Sequence, residues 1–186
     1  MGMAQQLFRW TAELLDRLPD DGNRYEVIDG ELFVTPAPSE PHQDVVLELA
    51  VRLREYCGPV GFKTLVAPFA VKFSNAREVQ PDLIVVPMRY GEKERPFDQP
   101  NELILVVEVL SRTTSWRDHG VKRRVYQEQG VPEYWIVDWR ERCVERWRAG
   151  SDAAEVLTTT LTWQPKADAD PLTIDLAQFF RAVCGE

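Results

Sequence analysis

Leu103 to Leu110 reads Leu-Ile-Leu-Val-Val-Glu-Val-Leu. It is the nearly unbroken apolar run expected of a strand buried on both faces. Such a strand belongs at the centre of a sheet, so the rest of the chain must supply layers that cover both of its sides. Glu108 is the anomaly. A carboxylate at that position loses its hydration, and leaving it unpaired costs on the order of several kcal/mol. It is therefore expected to meet a cation, either a metal ion or a Lys or Arg. The competing reading is a strand end that emerges into solvent. A second apolar run, Asp82-Leu83-Ile84-Val85-Val86, follows Gln80-Pro81 and also begins with an acid. Alone, Asp82 reads as an ordinary strand-entry or turn Asp. Together, two acids on neighbouring central strands can converge on one divalent ion, and an oxygen-rich site suits Mg²⁺ or Mn²⁺.

The pattern around these strands predicts a mixed α/β (α+β) chain built on one central mixed sheet flanked by helices. A short helix is expected over 10–18. Arg24 to Ile28 and Glu31 to Thr35 flank Asp29-Gly30, a strong hairpin signal. Apolar positions at Val45, Val46, Leu49, Val51 and Leu53 give residues 42–56 near-helical spacing. Strands are expected at 62–66 and 69–73, followed by the two acid-bearing runs. A helix over 115–129 ends at Gly130 and Pro132, and Tyr134 to Asp138 forms another buried strand. Cys143 to Arg148 and Glu155 to Thr159 read as exposed strands, and 174–182 as a closing helix. With 186 residues, 44% hydrophobic and 28% charged, residues 1–186 are expected to form a single domain. Cys57, Cys143 and Cys184 are odd in number and widely spaced, which fits reduced thiols better than a disulfide framework or a zinc site. No apolar run reaches membrane-span length and no basic-then-apolar leader is present, so a cytoplasmic protein without membrane contact is expected.

A net charge of −8 argues against a generic nucleic-acid coat protein, which would be broadly basic. A local basic patch remains: Arg112, Arg117, Lys122, Arg123 and Arg124, with only Asp118 opposing it. On the expected helix Asp118, Lys122, Tyr126 and Gln129 share one face, which puts Lys122 near the edge of the core and within reach of the acids. A snorkelling surface lysine is the alternative. His42 and His119 are the only histidines. His42, at the start of the first long helix, is a candidate for contact with a phosphate or metal-bound water. The chain has no GxSxG step, P-loop or GxGxxG, which leaves serine hydrolases and nucleotide-binding folds without support. No organic cofactor is expected.

The strings Gln80-Pro81-Asp82-Leu83-Ile84-Val85-Val86, Val106-Val107-Glu108-Val109-Leu110-Ser111, Lys122-Arg123-Arg124-Val125-Tyr126 and Gly130-Val131-Pro132-Glu133-Tyr134-Trp135-Ile136-Val137-Asp138 occur in that order, with Gly30-Glu31-Leu32 and His42 upstream. As an ordered set they resemble the Uma-two family of restriction-endonuclease-type proteins, over roughly residues 10–150. That family belongs to the PD-(D/E)XK nuclease superfamily. The resemblance implies a restriction-endonuclease-like core, a Mg²⁺- or Mn²⁺-dependent endodeoxyribonuclease and DNA as partner. By that likeness Asp82 and Glu108 are metal ligands, and the early acid is most like Glu31, with Glu48 as competitor. The superfamily's lysine would fall at Leu110, a departure from the pattern, and Lys122 from the next helix is the expected substitute. Arg112, Arg117, Arg123, Arg124 and His42 are the candidate DNA contacts. The rival reading is a nuclease-fold module that binds DNA or protein without catalysis. The acidic stretch 151–186 suits packing or a homodimer surface better than DNA.

Overall fold

The computed structural model describes residues 8–88, 102–111 and 115–185. Asp29 and Gly30 have φ of 55° and 86°, the two left-handed residues that a tight two-residue hairpin demands. They join β1 (Arg24–Ile28) to β2 (Glu31–Thr35), paired from Arg24 opposite Thr35 to Ile28 opposite Glu31. The preceding α1 is trimmed to Ala12–Leu15, shorter than the expected 10–18; beyond it the Arg17 and Leu18 amides reach back only three residues, to the Leu14 and Leu15 carbonyls. α2 (Glu40–Cys57) buries Val45, Val46, Leu49, Leu53 and Cys57 along one stripe, the helical period that the sequence displays.

β3 (Phe62–Val66), β4 (Val71–Ser74), β5 (Arg77–Val79), β6 (Leu83–Pro87) and β7 (Leu105–Val109) follow. The expected single helix over 115–129 is broken into three parts. α3 covers Ser115–Arg117, a π-helical stretch runs from Asp118 to Lys122, and α4 covers Arg123–Glu128. The amide of Arg123 reaches back five residues to the Asp118 carbonyl, the signature of a π turn. β8 (Glu133–Asp138) and β9 (Cys143–Arg148) lie where expected. The expected strand over 155–159 ends early as β10 (Glu155–Leu157), and two further short strands complete the chain, β11 (Thr160–Trp163) and β12 (Leu172–Asp175). α5 (Leu176–Cys184) starts at Asp175, whose side chain accepts a hydrogen bond from the Gln178 amide at 2.8 Å, an ordinary N-cap.

The central sheet has six strands in the order β10-β9-β8-β7-β6-β3. Among the described residues only β7 and β8 pair in parallel; the α3-to-α4 segment is the crossover that a parallel pair requires. A four-stranded sheet, β2-β1-β5-β4, and a β11-β12 ribbon complete the architecture. Alternation along the central strands sends Leu83, Val85, Leu105, Val107, Trp135 and Val137 to one face, where α2, α5 and the ribbon cover them. Ile84, Val86, Val106, Leu110, Tyr134 and Ile136 face the other way, toward α4 and the four-stranded sheet. Each large side chain so buried contributes about 1.5–3 kcal/mol. The fold is a mixed α+β one with a flanked central sheet, as its sequence pattern predicts.

Candidate metal and phosphate site

In the β6–β7 pairing Leu83 stands opposite Val107 and Ile84 opposite Val106. The same register puts Asp82, just before β6, across from Glu108. The period-2 alternation of strands turns both carboxylates to the α4 side. There they end at a cavity of about 260 Å³, lined also by Arg24, Glu26, Thr35, His42, Ser111, Arg117, Asp118, Lys122 and Arg140. Glu108 and Asp82 are each only 3% exposed, so Glu108 is not at an emerging strand end.

Lys122 is buried and donates to Glu108 Oε1 at 2.7 Å; its Nζ also lies 2.8 Å from Glu26 Oε1. The cation required by the Glu108 anomaly is thus a lysine from the crossover helix. Tyr126, one turn further on, donates its hydroxyl to the same Glu108 oxygen at 3.0 Å. Leu110, where the superfamily lysine would stand, is packed into the apolar core and its amide donates to the Val137 carbonyl. Asp82 Oδ1 accepts from Arg24 at 2.7 Å, while Oδ2 accepts from the Val109 amide at 2.9 Å and lies 3.1 Å from His42 Nε2. Glu26 accepts from the Gln80 amide at 2.8 Å and has Arg117 3.4 Å away. Arg117 in turn donates to Thr35 Oγ1 at 2.7 Å.

The electrostatics separate the three strand acids. Burial pushes each up. For Asp82, hydrogen bonding and charge from His42 and Arg24, with the Val109 amide, outweigh burial and hold the carboxyl well below the usual range. Glu26 is also lowered, because Lys122 and Arg117 outweigh its burial. Glu108 has only a share of Lys122 against burial and the carboxylates of Asp118, Asp82 and Glu26, and is pushed up to about 8. Burial pulls Lys122 down, but Glu108, Glu26 and Asp118 outweigh it and keep the ammonium charged. Asp118 is raised, chiefly by burial. Glu108 is thus a buried carboxyl short of positive charge.

That donor set suits a hard divalent cation. Mg²⁺ is commonly held by one or two carboxylates and completes its shell with water or substrate phosphate. Asp82 and Glu108, cross-strand neighbours opening on one cavity, fit that pattern. A cage made wholly by the protein does not, since no group of three or more His, Cys, Asp and Glu among the described residues could hold an ion.

Other expected site residues fall elsewhere. Glu31 is exposed at the hairpin turn, opposite Ile28. It lies four residues from Thr35, the point where β2 reaches the cavity, or about 13 Å of strand. The structure therefore does not bring it to Asp82 and Glu108; the further strand acid that lines the cavity with them is Glu26. Glu48 pairs with Arg52 on the surface of α2. Arg123 donates to the His119 carbonyl and stacks on Trp147, and Arg124 pairs with Asp29; neither lines the cavity. Arg117 does line it, but buried and paired. Arg112 lies outside the described residues. Glu26 was legible by the argument used for Glu108: it is an acid inside Tyr25-Glu26-Val27-Ile28. Arg24 and Asp118 carry no comparable signal, because their burial depends on strand pairing and on the π turn.

Comparison with known proteins agrees with this architecture. The Uma2 family, described as "Putative restriction endonuclease", matches residues 12–177. A crystal structure from Anabaena variabilis, described as a "putative nuclease belonging to DUF820", superposes with a TM-score of 0.75. It is 16% identical, and the match covers 93% of this chain and 98% of that one. No curated protein matches the chain. The cross-strand acids, the lysine delivered from the crossover helix and a family match spanning nearly the whole chain lead to one assignment: this protein belongs to the Uma2 family.

Proposed function

We propose that the chain is a metal-dependent DNA endonuclease whose centre is Asp82, Glu108 and Lys122. The observation that carries this reading is the 2.7 Å contact between Lys122 Nζ and Glu108 Oε1, which returns to the acid pair the positive charge that Leu110 lacks. Asp82 and Glu108 would hold Mg²⁺ or Mn²⁺, which when bound polarises a phosphate and lowers the pKa of a coordinated water. Lys122, kept charged by its carboxylate neighbours, balances charge growing on the phosphate oxygens. Glu26 holds the same ammonium at 2.8 Å. His42 and Arg24 set the orientation of Asp82, and Arg117 holds Glu26 against Thr35.

Supercoiled plasmid incubated with Mg²⁺ or Mn²⁺ tests the proposal. Wild type is expected to nick or linearise it; Asp82→Asn and Glu108→Gln, each shown to be folded by thermal melting, are expected to lose about 100-fold or more, the scale of losing a major electrostatic contribution. Retained cleavage in Glu108→Gln would falsify the assignment. One observation favours a second reading, a DNA-binding module without catalysis: Arg24 already occupies Asp82 Oδ1. Metal binding by wild type with no cleavage of any DNA would select it. A homodimer would carry two such centres, and the mass in solution tests that part.

A further inference from the structure

Trp116 is 63% exposed, although it sits beside Arg117, which reaches into the cavity. Its ring lies against Phe33, with centroids 6.1 Å apart. The Arg117 guanidinium lies 5.6 Å from the centre of that same Phe33 ring. Phe33 stands two residues before Thr35 on the same face of β2, and Thr35 lines the cavity. An aromatic ledge therefore runs from Trp116 through Phe33 to the cavity wall.

Two further observations limit what can lie on this ledge. The acids are at the bottom of a cavity of about 260 Å³, smaller than the ~300–1,000 Å³ of typical small-molecule pockets. It has room for a phosphate and its sugar. A duplex draws most of its affinity from cations that neutralise many phosphates, yet the chain carries a net charge of −8. Among the described residues the cations at the cavity are largely committed: Arg24 to Asp82, Arg117 to Glu26 and Thr35, Lys122 to Glu108 and Glu26. Arg140, at the rim, lies 4.2 Å from the centre of the Trp139 ring. A grip based on stacking needs fewer free cations, because every base offers a π-face.

We infer that the site takes an unpaired DNA strand, with a base stacked on Trp116 and the neighbouring phosphodiester lowered onto the acids. This rests on the reading of Asp82 and Glu108 as the cleavage centre. Intact duplex enters only where a strand has left the helix.

Fluorescence anisotropy in EDTA reads binding without cleavage. The probes are a labelled single DNA strand of about 20 nucleotides, its duplex, and the same strand as RNA. Single-stranded DNA is expected to bind about tenfold or more tighter than duplex. Trp116→Ala is expected to weaken it about 5- to 100-fold, the range for losing one stacked base. Trp116→Leu, which keeps an apolar contact on Phe33, should weaken it similarly, and Trp116→Phe should retain most of the affinity. Duplex bound as tightly as single strand, RNA bound more tightly than DNA, or indifference to both Trp116→Ala and Trp116→Leu overturns the inference. Failure of the underlying reading looks different: Glu108→Gln would still cut plasmid, whatever Trp116 does to binding. Glu108-dependent cutting with no Trp116 effect sinks the inference alone.

Discussion

The two faces of the central sheet are made by the same strands and could hardly differ more. On the α2 and α5 side, β6, β7 and β8 present Leu83, Val85, Leu105, Val107, Trp135 and Val137, an apolar layer sealed by Phe179, Phe180 and Trp163. On the α4 side the alternate positions begin equally apolar, with Ile84 and Val106, then break into Asp82 and Glu108 at the end nearest the cavity. The first face is what stability alone would select. The second contains four buried acids, Glu26, Asp82, Glu108 and Asp118, beside the buried Lys122 and Arg117. Buried ion pairs rarely exceed a well-packed apolar alternative in stability. The difference teaches that the α4 face is shaped by a demand other than folding.

The comparison breaks most readily at Lys122. Lys122→Met leaves Glu108 without its ammonium and Glu26 with Arg117 alone. A loss of about 3–5 kcal/mol is expected, on the order of 10 °C in melting temperature for a chain of this size. Leu105→Ala on the apolar face should cost a comparable 2–5 kcal/mol or so. The two separate on a second change: adding Glu108→Gln to Lys122→Met should recover about 0.5–3 kcal/mol, the coupling typical of contacting groups, whereas adding it to Leu105→Ala should give simple additivity. Equal behaviour in calorimetry would erase the distinction between the faces.

pH sharpens it further. Glu108 is raised from an ordinary 4.5 to about 8 by burial among carboxylates, so the folded state holds its proton more tightly than the unfolded chain. Stability should therefore fall as pH rises from about 4.5 to about 8 in metal-free buffer. In Glu108→Gln that slope should flatten, while Leu105→Ala should keep it; urea melts across the range decide. The smallest effect lies off both faces. His119 Nε2 donates to the Glu145 carboxylate across 2.9 Å, and its pKa is raised, with burial opposing and the Glu145 bond prevailing. Glu145→Gln should remove stability present below about pH 6.5 and lost as pH climbs through the raised value, by at most about 1 kcal/mol for such a half-exposed pair.

The apolar face was open to sequence reading because period-2 alternation and helical spacing are local signals, and Asp82 and Glu108 stood out against them. Lys122 was legible only as a residue within reach, since its partner is set by the crossover. The likeness points to Glu31 through Gly30-Glu31-Leu32, while hairpin register, which the likeness does not carry, turns Glu26 to the α4 layer beside Ile28 and leaves Glu31 at the turn. Arg123 and Arg124 read as phosphate contacts on charge alone; their partners within the chain, Trp147 and Asp29, are distant in sequence and could not be read there. The break in the helix at Asp118 left no trace in composition, because a π turn is a matter of one extra residue.

That one residue has a genetic consequence. An α-helix turns about 100° per residue, so substitutions that closed the π turn into a regular ladder at unchanged chain length would swing everything beyond it by roughly that angle relative to what precedes. Lys122 and Tyr126 would leave Glu108 together, without any change at Glu108, Asp82 or the strands that carry them. Substitutions that favour a regular helix between Asp118 and Lys122 are therefore the place to look when relatives with intact acids prove inert.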